Sequence, residues 1–250
     1  MKTFYCRIGN KSLSAKQIIK YFPDHDVYTE PFIGAGAVFF LKDKDKSKYE
    51  IINDLDTELI NSYKFLKNIK INFNISKEIE RLSQYDTIQK KRMYLSDNTK
   101  NKNIDKLYKI LLNSCNTFSN TGKGKIYKNT NQFTKLKKIN EYKERLNNVI
   151  IQNTDYKKIL IKYDSPKTLH YLDPPYENSK TLYKDSYMDY KELETNVRKL
   201  KGYVLISLND SPNIRNIFKD YNIVKIEEIG SKRIANKFTK RTDILIMNFK

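Results

Sequence analysis

Apolar positions recur along this chain with two periods, and the switches between them mark out the elements. Residues 27–41, "VYTEPFIGAGAVFFL", predict a strand, a glycine turn and a helix. "YEIINDL" predicts a second short strand, and "DTELINSYKFLKNI" a helix with Asp56 as its N-cap. This βαβα opening predicts a parallel sheet with helices packed on its faces.

From about Asn72 to Asn148 the pattern becomes polar, lysine-rich and mostly helical, with one buried patch at Leu107–Leu112. Within it "NTGKGKIYKN" predicts a loop or hairpin. Alternation then returns. "NVIIQN", "KTLHYLD" and "YVLISLND" predict strands, with helices at "DYKKILIKY", "DYKELETNVRKLK" and "SPNIRNIFKDY". "NIVKIEEIG" and "DILIMNF" predict two last strands joined by a basic loop, "SKRIANKFTKRT". Sheet-forming segments therefore occupy 1–70 and 149–250. The block 71–148 is expected to be an insertion carrying substrate recognition, because function is grafted on such segments.

Composition adds a charge. In 250 residues Lys and Arg total 48 against 29 Asp and Glu, a net charge of +19. Such a field favours polyanions, above all nucleic acid. A lysine- and asparagine-rich codon bias accounts for the abundance but not for clustering. Lys123, Lys125, Tyr127, Lys128, Lys135, Lys137 and Lys138 crowd the insertion, and Lys232, Arg233, Lys237, Lys240 and Arg241 the late loop. Both groups are candidate phosphate contacts, with a solvated basic face as the plain alternative. Two cysteines, Cys6 and Cys115, make neither a disulfide framework nor a zinc site, and no metal is expected. No apolar run reaches the ~18 residues of a membrane span, and the first residues lack a signal-peptide core. An intracellular protein without membrane attachment is expected.

Two motifs carry chemistry. In "EPFIGAGAVFF", Gly34 and Gly36 lie between a strand and a helix, where backbone amides can approach a ligand. Asp54, at the next strand's tip, has the spacing of an acid that reaches ribose hydroxyls. Phe39 stands where a dinucleotide fingerprint needs its third glycine, which favours a nucleoside ligand without pyrophosphate. A glycine turn kept for packing is the alternative.

The second motif is Asp173-Pro174-Pro175-Tyr176, just past a strand's carboxyl end. A chance occurrence in a chain this long is roughly one in a thousand. The Asp173 carboxylate and the Pro174 carbonyl are two acceptors that could face an exocyclic amine and draw its lone pair toward a methyl donor. Proline rings hold the second acceptor still. Tyr176 offers a stacking face. The same oxygens would stabilise positive charge growing on the amine; a rigid turn after a strand is the plain alternative. Near the N-terminus, Lys11 lies in a glycine-containing turn before a helix and could hold a carboxylate, with a solvated surface lysine as the plain alternative.

Together these residues resemble the Dam-type (group alpha) adenine-specific DNA methyltransferases, over nearly the whole chain and in the family's motif order. The resemblance implies a Rossmann-like methyltransferase sheet in 1–70 and 149–250, with a target-recognition domain in 71–148. It implies S-adenosylmethionine as cofactor, held by Arg7, Lys11, Phe32, Gly34, Gly36, Asp54, Asp155, Tyr156 and Asp173. Asp173, Pro174, Pro175 and Tyr176 are then catalytic. Arg7 stands where some members carry an aromatic residue. "NSCNTFSNTGKGKIYK" is similar, more loosely, to the family's recognition hairpin and "GSKRIANKFTKRTDILIMNF" to its closing hairpin. The implied DNA contacts are Lys123, Lys125, Tyr127, Lys128, Lys135, Lys232, Arg233 and Lys237. The implied reaction is methyl transfer to adenine N6 in double-stranded DNA, with the base flipped out and "ENSKTLYKDSY" closing over it through Tyr183 or Tyr187. A monomer or weak dimer is expected, with a cognate restriction endonuclease as a candidate partner, located wherever the target DNA resides, whether cytoplasm, nucleus or a viral factory. The alternatives are another acceptor (cytosine N4, an RNA base or a protein glutamine amide) and an inactive DNA-binding module.

Overall fold

The computed structural model describes residues 1–5, 11–84, 102–115, 131–177, 188–234 and 237–250, with backbone alone at 102, 113, 115, 131, 227–234 and 237–242. Seven strands form one sheet: β1 (Val27–Glu30), β2 (Tyr49–Asn53), β3 (Ile150–Gln152), β4 (Thr168–Leu172), β5 (Tyr203–Asn209), β6 (Asn222–Ile234) and β7 (Lys237–Met247). Their order is β3-β2-β1-β4-β5-β7-β6. The first five are parallel, and β7 runs antiparallel to both its neighbours.

The chain moves outward from β1 to β3, then returns past β1 to β4 and β5. Right-handed crossovers place helices on one face during the outward run and on the other after the reversal. The core divides accordingly, with alternate strand residues facing alternate sides. Leu169, Tyr171, Leu205, Leu245 and Met247 join α1 (Ala15–Ile19), α2 (Ala37–Leu41) and α3 (Thr57–Asn68) on one side. Leu172, Val204, Ile206, Leu208, Ile244 and Ile246 meet the later helices on the other. The expected α/β sheet with helices on both faces is observed.

The helices of the middle block are α4 (Ile75–Ser83), α5 (Lys102–Cys115), α6 (Asn131–Lys137) and α7 (Ile139–Leu146). Leu82, Leu107, Tyr108, Leu111, Leu112, Ile139 and Tyr142 pack into the first face's core. The Tyr142 and Phe4 rings meet edge-on with centroids 4.9 Å apart. Beyond β3 come α8 (Tyr156–Tyr163), α9 (Tyr190–Val197) and α10 (Pro212–Ile217). Asp56 caps α3 as expected, its side chain accepting from the Leu59 amide at 3.0 Å. Among the described residues no helix is long and apolar enough to cross a membrane.

One expectation is corrected. The basic segment between the last two strands is not a loop but part of the ladder: β6 runs to Ile234 and β7 starts at Lys237, with pairs from Glu227–Thr242 to Ile234–Lys237. Only Asp243–Met247 of β7 pairs with β5. The rest is a two-stranded ribbon, with a register shift between Ile229 and Arg233, whose paired residues bond to each other, so polar sequence suffices to build it.

Candidate active site

The strand order reverses between β1 and β4, and a crevice outside the carboxyl ends of such strands is where open α/β sheets bind ligands. Three loops meet there. Asn53, 1% exposed at the tip of β2, donates to the carbonyls of Pro31 at 3.0 Å and Thr154 at 2.9 Å. Its own oxygen accepts from the Thr154 amide at 2.9 Å. One buried amide thus ties together the loops after β1, β2 and β3.

Gly34 and Gly36 both take left-handed backbone conformations, with φ of 47° and 70°. Their surroundings differ. A Cβ on Gly36 would meet the Tyr63 hydroxyl at 2.9 Å, whereas one on Gly34 would find nothing within 4 Å. Gly36 is therefore demanded by packing against α3, and Gly34 faces open space. The Gly34 amide donates to Asp54 Oδ2 at 3.0 Å, and the Asp56 amide to Asp54 Oδ1 at 3.0 Å. The rings of Phe32 and Tyr156 pack against each other, tilted, with centroids 5.2 Å apart. Asp155 caps α8 through a bond from the Lys157 amide at 2.8 Å.

Beyond β4, Asp173 is mostly buried. Its Oδ1 accepts from the Ser207 hydroxyl at 3.0 Å and lies 3.2 Å from Lys11 Nζ. Burial pushes its carboxyl above the ordinary aspartate value, and Lys11 and Ser207 oppose that rise. Pro174 is buried, and the Pro175 carbonyl accepts from the Tyr190 hydroxyl at 2.5 Å. Tyr176 donates to Asp243 Oδ2 at 2.8 Å, contacts Lys11 Nζ through its hydroxyl, and carries that ammonium 4.3 Å from its ring centre. Glu177 accepts from Ser211 and from Asn213, each at 2.5 Å, which fastens the end of the motif to the cap of α10. Such an arrangement offers a charged acceptor, a rigid turn and an aromatic ring at one end of the crevice. The glycine corner lies at the other.

Of the residues singled out from sequence, Phe32, Gly34, Gly36, Asp54, Asp155 and Tyr156 line the loops after β1, β2 and β3. Lys11, Asp173 and Tyr176 meet one another. Lys135 donates to the Phe4 carbonyl at 2.6 Å, tying α6 to the N-terminal segment. Arg7, Lys123, Lys125, Tyr127, Lys128, Tyr183 and Tyr187 lie outside the described residues, as do the side chains of Lys232, Arg233 and Lys237. Sequence reasoning missed Ser207 and Asp243. Their signal is weak but present: Ser207 is a lone polar residue inside the apolar run of β5, and Asp243 is the charge that stands where the polar half of β7 meets its apolar half; buried polar residues need partners.

A family model described as D12 class N6 adenine-specific DNA methyltransferase matches residues 8–231. The chain is 30% identical to a protein of Lactococcus lactis subsp. cremoris, the Type II methyltransferase M1.LlaDCHI, over 89% of this chain and 86% of that one. It is also 30% identical to the Type II methyltransferase M.MjaIII of Methanocaldococcus jannaschii, over 100% of this chain and 99% of that one. Among solved structures, precorrin 8w decarboxylase from Methanobacterium thermoautotrophicum aligns with a TM-score of 0.42 at 10% identity, covering 99% of this chain and 97% of that one.

Proposed function

The chain belongs to the D12 class of N6 adenine-specific DNA methyltransferases, and from that premise we propose how its own residues carry out the transfer. Its substrate is duplex DNA. S-adenosylmethionine supplies the methyl group, carried on a positively charged sulfur. The crevice fits such a group: Gly34 presents open space where any other residue would place a side chain. Asp54 has two lone-pair directions turned to the Gly34 and Asp56 amides, and a carboxylate can accept more. Asp54 would take the ribose hydroxyls, and the Phe32–Tyr156 pair, whose rings touch each other, would border the adenine from one side together with Asp155.

The observation that carries the catalytic assignment is Asp173 at the carboxyl end of β4, held by Ser207 and Lys11. Its carboxylate and the Pro174 carbonyl would receive the two hydrogens of the adenine N6 amine. As the nitrogen bonds to the methyl carbon, the carbon–sulfur bond breaks with its electron pair kept by sulfur. The nitrogen then gives up one proton to water. A mostly buried acceptor cannot reach a base inside a duplex, so the target adenine must leave the stack and lie against Tyr176. Lys11 sits over that ring, so the base would use the face turned away from the ammonium.

Target recognition falls to 71–148, with the catalytic parts in 1–70 and 149–250. This is a division of labour over a shared core. Phosphate contacts from Lys123, Lys125, Lys128, Lys232, Arg233 and Lys237, with Tyr127 beside them, would supply most of the DNA affinity, while Lys135 is held by the Phe4 carbonyl. A restriction endonuclease of the same specificity is the expected partner in the cell, since both relatives above are Type II methyltransferases.

Nucleoside mass spectrometry tests the reading. Unmethylated DNA incubated with protein and S-adenosylmethionine should yield N6-methyladenine. 4-Methylcytosine in its place, or methylation confined to RNA, would sink it.

A further inference from the structure

Asp243 lies opposite Asn209, where β7 leaves the ribbon and joins β5. It is fully buried, and a carboxylate in that position is stable only with strong partners. Its Oδ2 accepts from Lys11 Nζ at 3.1 Å and from the Tyr176 hydroxyl at 2.8 Å. Lys11 is itself only 5% exposed and reaches on to Asp173 at 3.2 Å. The network joins the segment before α1, the motif after β4 and the last strand. No two of its three parts are neighbours in sequence.

We propose that Asp243 is a positioning residue for methyl transfer, acting through Lys11 and Tyr176 on the Asp173 acceptor. The proposal rests on the methyltransferase reading above. Two carboxylates and one ammonium leave this buried cluster with a net negative charge. Without Asp243, Lys11 would neutralise Asp173 alone and compete for the oxygen that an incoming amine needs. With it, the ammonium is shared. Positive charge moves onto the amine nitrogen during transfer, and a fixed negative charge beside it favours that movement. The bond to the Tyr176 hydroxyl also fixes the plane on which the base would stack.

Asp243→Asn keeps the shape and an acceptor oxygen but removes the charge. Its S-adenosylmethionine affinity, read by calorimetry, should stay within about threefold of the wild type, while the single-turnover rate on unmethylated DNA falls about tenfold or more. The groups acting on Asp173 are Lys11 before α1, Glu30 on β1, Tyr171 on β4, Ser207 on β5 and Asp243 on β7. Removing the like charge of Asp243 should move the acidic limb of the rate–pH profile to lower pH. A residue needed only for packing would not move that limb. Lys11→Met is the second variant, needed if the first does not fold. It leaves two carboxylates facing each other and should move the limb to higher pH. Wild-type rate and an unmoved limb in Asp243→Asn, or an unmoved limb in Lys11→Met, would overturn the proposal. A wild-type protein that makes no N6-methyladenine would instead overturn the reading beneath it.

Discussion

The backbone amide of Gly34 donates to the carboxylate of Asp54 at 3.0 Å. That bond joins the loop after β1 to the tip of β2 and sets the corner in which the nucleoside of the cofactor would sit. It also shows why the acid stands where it does. The same carboxylate that would take ribose hydroxyls holds the glycine loop in place.

Asp54→Ala removes both functions. A charge-assisted hydrogen bond contributes about 1.5–3 kcal/mol, so S-adenosylmethionine affinity should weaken by about tenfold to a hundredfold. Isothermal calorimetry without DNA reads this directly. An unchanged Kd would place the cofactor elsewhere.

The two glycines should respond differently to alanine. Gly36→Ala must accommodate a Cβ 2.9 Å from the Tyr63 hydroxyl, which itself donates to the Gly34 carbonyl at 3.0 Å. Left-handed strain and overpacking together should cost about 2–4 kcal/mol, and Tm should fall by roughly 5–15 °C. Gly34→Ala carries the strain alone, about 1–2 kcal/mol, but places a methyl group in the space assigned to the cofactor. Its Tm should change less and its cofactor affinity more. Calorimetry and thermal melts on both variants separate the two effects, and the reverse ranking would count against the assignment of Gly34.

Asp173→Ala should abolish turnover and leave DNA affinity within about threefold, because phosphate contacts would supply most of that affinity. Fluorescence anisotropy and single-turnover methylation measure the two quantities separately. Loss of both would mean that Asp173 holds the fold together rather than the substrate amine.

These sites differ in how plainly they stand in the sequence. Gly34, Gly36 and Pro174 interrupt periodic segments, so the chain's own punctuation marks them. Asp56 precedes a helical pattern and caps it as such a residue should. Ser207 interrupts nothing, because one polar residue in an apolar strand leaves its pattern intact, and Asp243 reads as the end of the polar run Thr239–Thr242. Their meaning comes from strand order, which brings β4, β5 and β7 side by side. No local pattern encodes that adjacency. The ribbon of β6 and β7 is hidden in the sequence for a related reason. Polarity reports burial, and a two-stranded ribbon needs hydrogen-bond partners more than a buried face.

His170 provides a pH-dependent contribution to stability. The ring lies buried on β4, with Nδ1 2.7 Å from the Thr29 hydroxyl and Nε2 3.6 Å from Asp164. Burial lowers its pKa from the ordinary 6.5 to about 4, against a smaller opposing pull from Asp164. The unfolded chain therefore takes up a proton near pH 6.5 that the folded chain refuses until about pH 4. The stabilisation from a neutral His170 is fully present above about pH 6.5 and is lost as pH falls toward 4, at about 1.4 kcal/mol per pH unit. Glu30 and Asp173, both pushed up by burial, act in the opposite sense: the stability they contribute is present at low pH and lost as pH rises. The wild-type curve alone therefore mixes the two effects. Subtracting the curve for His170→Gln cancels the carboxylates and isolates the imidazole. Urea unfolding at pH 7, 6, 5 and 4.5 should show the wild type losing about 2–3 kcal/mol more than the variant across that range. Parallel curves would mean that His170 takes up its proton as readily in the folded protein as in the unfolded chain, and its contact with Asp164 would then become an ion pair once the ring is protonated.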